Sequence, residues 1–213
     1  MNLDKLRFFD PRGKIELTAN RLPHWQQTGG IFFVTFRLAD SVPKHLLDRW
    51  VAERETWLRI HPTPWSQEKE REYHERFTGA IERWLDAGHG ACVLRRPECA
   101  AIVESVLRFF EGERCNLYAS VVMPNHVHVL MRVCEGFSLN GVVHSWKSFS
   151  ANRINEMLGS QGHLWQRDYF DRLVRDGAHF RRCVRYIRRN PTKARLQPGE
   201  YLLSECDLVR GLD

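Results

Sequence analysis

Apolar and polar positions alternate most clearly at IFFVTFRL, where Gly29 and Gly30 lead into a β-branched and aromatic run that predicts the first strand. Helical spacing follows. Ser41 and Pro43 look like a helix start, and Leu46, Leu47, Trp50, Val51, Trp57 and Leu58 recur near a 3.6-residue period until His61 to Pro64 end the run. Tyr73, Phe77, Ile81, Trp84 and Leu85 form the stripe of a second helix, closed by Gly88 to Gly90. Pro97 suits the first turn of a third, with Ile102, Val103, Val106, Leu107 and Phe110 inward and Gly112 as the stop. Leu117 to Met123 and His126 to Val133 then read as an antiparallel pair meeting at a tight turn or bulge around Pro124 and Asn125. A long helix is expected from about Ser138 to Leu158, burying Leu139, Val142, Val143, Trp146 and Phe149, with Lys147 and Arg153 off the stripe. An extended aromatic segment, Leu164 to Val174, precedes a last helix from about Ala178 to Arg189. That helix should stop near Asn190, because Pro191 disfavours a helical residue before it.

This order predicts an α+β, ferredoxin-like antiparallel sheet (β-α-β-β-α-β) with an added C-terminal helix. The helices at residues 44–86 form an insertion within the first crossover. Residues 1–27 read as an irregular N-terminal arm and 197–213 as a C-terminal tail, the whole making one domain of 213 residues.

Composition narrows the class. A hydrophobic fraction of 43% with 27% charged residues describes a soluble globular chain, and no apolar run approaches the length needed to span a bilayer. The first ten residues are too charged for a signal peptide, so a cytoplasmic, nucleoid-associated location is expected. The six cysteines form no CxxC pair, which disfavours a thiolate-held metal and predicts reduced, mostly packed thiols.

The net charge is +6, and its distribution says more than its size. Arginines crowd the stretch from Arg167 to Arg195, a composition suited to forked hydrogen bonds with phosphate or, equally, to a solvated basic face. In MPNHVHVLM, His126 and His128 stand two apart on a strand, so both imidazoles point to one face while Val127, Val129 and Met131 point to the other. Such a pair can share one metal ion, although a chain with ten histidines can also produce it by accident. No GxSxG elbow, Walker A loop or HExxH helix is present, which leaves tyrosine as a candidate nucleophile. Of the five tyrosines, Tyr73, Tyr118 and Tyr201 have packing explanations and Tyr169 lies in the extended WQRDYFDR segment. Tyr186 stands among arginines expected to lower its basicity, with Asn190 one turn on along the same helical face. The alternative stands beside it: Tyr186 as a half-buried packing residue and Asn190 as a helix C-cap.

Taken together, LPHW, FFVTFRL, MPNHVHVLM, WKSFSANRIN, LWQRDYFD and YIRRNPTKARL, in this order from Leu22 to Leu196, resemble the single-tyrosine HUH transposases. The resemblance is to the REP-associated branch in particular. It implies a divalent ion, Mg²⁺ or Mn²⁺, held by His126, His128 and Asn190, with Tyr186 as the nucleophile and Tyr169 in a structural role. Arg182, Arg185, Arg189 and Lys147 are the expected DNA contacts. One departure is visible: Arg172 follows Asp171 where the family often has histidine. The implied activity is cleavage and rejoining of single-stranded DNA at REP-like hairpins through a 5′-phosphotyrosine, by a monomer or homodimer. A catalytically retired hairpin-binding protein of the same fold and a replication-initiation or relaxase protein are the competing readings. Lack of any helicase motif counts against the last.

Overall fold

The computed structural model describes residues 3, 6–10, 13, 16–19, 23–62 and 65–212. Pro11, Leu22, Pro64 and Asp213, which punctuate or bound the expected segments, lie outside the described residues. The first departure from the sequence reading is in the N-terminal arm. It contains a two-stranded antiparallel hairpin, β1 (Glu16–Ala19) with β2 (Pro23–Gln26), too short to show a period, and Pro23 opens its strand, where no ladder N–H is required.

The main sheet begins at β3 (Ile31–Arg37). The insertion follows as α1 (Lys44–Ile60), α2 (Gln67–Tyr73), a π-helical turn (His74–Thr78) and α3 (Gly79–Asp86). It has an aromatic core of its own, in which Trp50, Trp57 and Phe77 are buried and Trp50 Nε1 donates to the Phe77 carbonyl at 3.0 Å. Next come a 3₁₀ turn (Val93–Arg95), α4 (Pro97–Arg108), β4 (Cys115–Val122), β5 (His126–Val133) and α5 (Leu139–Leu158). The chain closes with β6 (Phe170–Leu173), α6 (Gly177–Lys193), β7 (Leu202–Glu205) and α7 (Asp207–Arg210).

Strands lie in the order β6-β3-β5-β4-β7, and every neighbouring pair is antiparallel. The first four are the expected ferredoxin-like sheet. The fifth corrects the reading of 197–213 as a tail, since β7 pairs Leu202 to Glu205 with Val122 to Ala119 of β4 and extends the sheet. The turn at Pro124 and Asn125 is tight, with Met123 N donating to His126 O at 2.8 Å. The register shift falls elsewhere, between Leu117 and Ala119 of β4.

The two faces of the sheet are different environments. On one, Phe32, Val34 and Phe36 of β3 and Val127, Val129 and Met131 of β5 pack against α4 and α5. Complete burial of each such side chain contributes roughly 1.5–3 kcal/mol, which fixes the strand register, because a one-residue slip would send these side chains to the opposite face. On the other, Ile31, Val121 and Leu130 pack against Phe180, Val184 and Ile187 of α6 and Val209 of α7. The alternation in β5 therefore turns His126 and His128 toward α6.

Two further expectations are corrected. Phe149 is 55% exposed, and Ser150 takes the inward position, donating to Trp146 O at 2.6 Å and accepting from Trp165 Nε1 at 2.9 Å. The helical period had drifted one position by that point. Helix α6 does not stop at Asn190 but runs through Pro191 to Lys193. Pro191 forfeits its own N–H bond, yet Ala194 N still donates to Asn190 O at 3.0 Å and Leu196 N to Pro191 O at 2.9 Å, so the turn is held from its far side.

Candidate active site

Strand β5 presents His126 and His128, 1% and 2% exposed, on the α6 face. Their Nε2 atoms lie 3.1 Å apart, converging on one point. Each ring is held at its other nitrogen. His126 Nδ1 donates to Asn125 Oδ1 at 2.8 Å, and His128 Nδ1 lies 2.7 Å from the hydroxyl of Thr35, its direct cross-strand partner on β3. Burial pushes the His126 pKa down to about 3, with neighbouring Asn190 opposing the shift and the Lys193 charge adding to it. His128 is pushed well below the ordinary imidazole value by burial, then by His126 and Lys193. Both rings are thus neutral, the form in which imidazole binds metal.

Helix α6 is capped by Asp176, whose carboxylate accepts from His179 N at 2.7 Å, and it buries Phe180, Cys183, Val184 and Ile187 against the sheet. The same packing lowers Tyr186 onto the histidines. Its ring meets His128 edge-on at 5.1 Å and Phe33 at 5.5 Å, while Phe33 stacks on His128 at 5.4 Å. Asn190 is 1% exposed, and among the described residues neither its Oδ1 nor its Nδ2 has a hydrogen-bond partner. Buried polar atoms are nearly always satisfied, so an amide orphaned beside two convergent imidazole nitrogens fits the third ligand of a cation. The donor set of two imidazoles and one amide oxygen suits Mg²⁺ or Mn²⁺ with positions left for phosphate oxygens.

An open cleft of about 380 Å³ lies over this group, lined by Arg182, Arg185, Tyr186, Arg189, Asn190 and Lys193. The structure therefore brings together Tyr186, His126, His128, Asn190 and three of the expected DNA-contacting arginines. It does not bring Lys147 to them. That residue stands on α5, on the opposite side of the sheet, where its Nζ donates to Arg167 O at 2.6 Å and burial holds its pKa down to about 8. Tyr169 is buried in the core beside α5, in the structural place expected of it, and Arg172 donates to His74 Nδ1 at 3.3 Å.

One electrostatic expectation is reversed. The arginines near Tyr186 do not lower its pKa; burial raises it, and the carboxylates of Glu82 and Asp86 on α3 add to the rise. Arg182, Arg185 and Arg189 are exposed to solvent, whereas the insertion sets its acids against the phenol. Lys193 partly balances them, with Nζ 2.8 Å from Asp86 and 4.0 Å from Glu82. Sequence reasoning missed Lys193 because it ended the helix at Asn190; a helix continued through Pro191 puts Lys193 seven residues beyond Tyr186, on the same face. Thr35 and Phe33 were missed because finding them requires the strand register, and Asn125 because its sequence neighbourhood reads only as a turn.

Residues 93–190, which contain all four of the expected metal and nucleophile positions, match the family described as "Transposase IS200 like". The match covers under half of the 213 residues. The matched region opens at the 3₁₀ turn before α4 and ends at Asn190, so the insertion and β7 lie outside it. No curated protein matches the chain. Among solved structures, the chain is similar to a REP-associated tyrosine transposase bound to a REP hairpin, with 17% identity and a TM-score of 0.45, over 82% of this chain and 74% of that one. Among the described residues no helix is long and apolar enough to cross a membrane.

Proposed function

We propose that this IS200-like protein cleaves and rejoins single-stranded DNA at REP-like hairpins through a covalent bond to Tyr186. The observation that carries the proposal is the convergence of Tyr186, His126, His128 and the unpaired Asn190 amide from strand and helix segments far apart in the chain. His126 and His128 through Nε2, and Asn190 through Oδ1, would hold Mg²⁺ or Mn²⁺. When bound, the ion polarises the scissile phosphate.

The chain's own residues do the rest. Phe33 and His128 fix the Tyr186 ring, so the phenol oxygen meets phosphorus in a set direction. Attack forms the Tyr186 Oη–P bond and breaks the P–O3′ bond. The phenol proton passes to the Glu82 carboxylate, and the departing 3′ oxygen takes a proton from solvent to leave as a hydroxyl. The product is a 5′-phosphotyrosine, whose diester bond energy is kept, so attack by a 3′-hydroxyl rejoins strands and returns the proton to Tyr186. Arg182, Arg185 and Arg189 on the cleft wall bind the sugar–phosphate backbone.

A second reading, a hairpin-binding protein without turnover, draws on the carboxylates that hold the phenol protonated. One experiment separates the two. Labelled hairpin DNA with a single-stranded flank is incubated with Mg²⁺ or Mn²⁺ and resolved on a denaturing gel. The wild type should give a covalent adduct and Tyr186→Phe none. An adduct persisting in Tyr186→Phe refutes the nucleophile; tight binding with no adduct on any hairpin supports the second reading.

A further inference from the structure

We infer that Asn125 is a positioning residue that locks the His126 ring with its Nε2 lone pair facing the metal position, and that the helical insertion holds this lock in place. The inference rests on His126 and His128 being the ligands of the proposed strand-transfer site. Asn125 is 1% exposed, and each atom of its side-chain amide is committed. Its Nδ2 donates to the carbonyls of Leu85 and His89, both at 3.2 Å, at the end of α3 and in the loop after it. Its Oδ1 must therefore face His126, where it accepts from Nδ1 at 2.8 Å. Turning the amide over would set Oδ1 against two carbonyl oxygens and an N–H₂ against a ring nitrogen. A carbonyl oxygen only accepts, so Nδ1 carries the ring proton and Nε2 is the bare nitrogen.

The backbone around the lock is equally constrained. Asn125 O accepts from Leu38 N at 2.9 Å, and Pro124 O accepts from Leu94 N at 3.1 Å. The His89 carbonyl is aimed by flanking glycines with positive φ, Gly88 at 69° and Gly90 at 88°. A side chain at Gly90 would also lie 2.7 Å from Asp40.

The second ligand is held differently. With Nδ1 carrying the His126 proton, His126 Nε2 can only accept, so any bond across the 3.1 Å contact is donated by His128 Nε2–H, and His128 Nδ1 then accepts from the Thr35 hydroxyl. A hydroxyl both donates and accepts, so Thr35 can follow when the His128 proton moves from Nε2 to Nδ1 on metal binding. Asn125 cannot. The structure thus assigns one fixed ligand and one that changes tautomer, with no net proton taken up or released.

Ring nitrogen NMR of the metal-free protein reads the first half directly: the His126 proton should sit on Nδ1 and the His128 proton on Nε2, and Mg²⁺ should move only the latter. A wild-type His126 proton on Nε2 overturns the inference, whether or not DNA is cleaved. Mn²⁺ titration followed by EPR reads the second half. Asn125→Ala should weaken binding roughly 10- to 100-fold. Asn125→Asp keeps the acceptor for Nδ1 but turns a carboxylate toward the Leu85 and His89 carbonyls, so it should regain most of the Mn²⁺ affinity while losing thermal stability. Wild-type affinity in Asn125→Ala, or an Asn125→Asp variant that melts like wild type but binds no better than Asn125→Ala, overturns the positioning role. Absence of Mn²⁺ binding by the wild type would defeat the metal reading of the site, and the His126 tautomer would still decide for or against Asn125.

Discussion

Arg188 stands in the middle of the arginine-rich helix, yet its bonds make it a structural clamp, and replacing it with alanine should show this. Its Nε lies 2.7 Å from Glu205 Oε1 and its Nη2 3.3 Å from Oε2, while Nη1 donates to Leu212 O at 2.6 Å and Nη2 to Val209 O at 2.8 Å. The Glu205 side chain is only 14% exposed, so Arg188→Ala strands a poorly solvated carboxylate and two carbonyls. Loss of the charge-assisted bonds and the unpaired carboxylate together should cost about 2–4 kcal/mol. For a chain of this length that corresponds to a fall in Tm of roughly 5–15 °C. Thermal melting of wild type, Arg188→Ala and Arg185→Ala checks it, with Arg185→Ala as the exposed neighbour that should melt like wild type. An Arg188→Ala protein melting within about 2 °C of wild type refutes the clamp.

Acid should destabilise the protein through the buried histidines. Their folded pKa values are depressed, so as pH falls from about 6.5 toward 3 the unfolded chain takes up protons first, and stability that is complete above 6.5 is lost at roughly 1.4 kcal/mol per pH unit for each histidine. Urea unfolding over that range, compared with His126→Gln, measures it; equal slopes in the two proteins would contradict it. Arg185→Ala and Arg189→Ala should each reduce the salt dependence of hairpin binding by roughly 0.7–0.9 in log–log slope. An unchanged slope would remove these side chains from the DNA interface. Thr35→Val keeps the side-chain shape but removes the oxygen at His128 Nδ1, and Mn²⁺ affinity should fall about tenfold with the melting curve little changed; unaltered affinity counts against the role given to Thr35.

The central strands and the histidine pair were readable from the chain because their signals are local. A β-branched run with a period of two fixes which residues share a face, and it placed His126 and His128 opposite Val127 and Val129 as found. Signals that failed were those that depend on partners. LLSE at Leu202 to Glu205 has no period of its own and becomes a strand only because β4 offers a free edge. Phe149 looked inward until Trp165 supplied a hydrogen bond that made Ser150 the better inner residue. Pro191 reads as a helix stop, although downstream bonds carry α6 past it, and with that turn goes Lys193. The acids beside Tyr186 could not be anticipated, because they arrive from an insertion whose docking no local pattern records.

Strand β5 ties two unlike jobs to one backbone, since Val127 and Val129, packed against α4 and α5, alternate with His126 and His128 of the site. The dry side of the sheet is consequently a tuning screw for the wet side. Changing the volume of Val127 or Val129 would shift the strand by fractions of an ångström and alter how the two imidazoles aim, without touching a group that meets DNA. Directed variation confined to that hidden layer offers a route to altered metal preference or cleavage rate in which the DNA-facing surface stays constant.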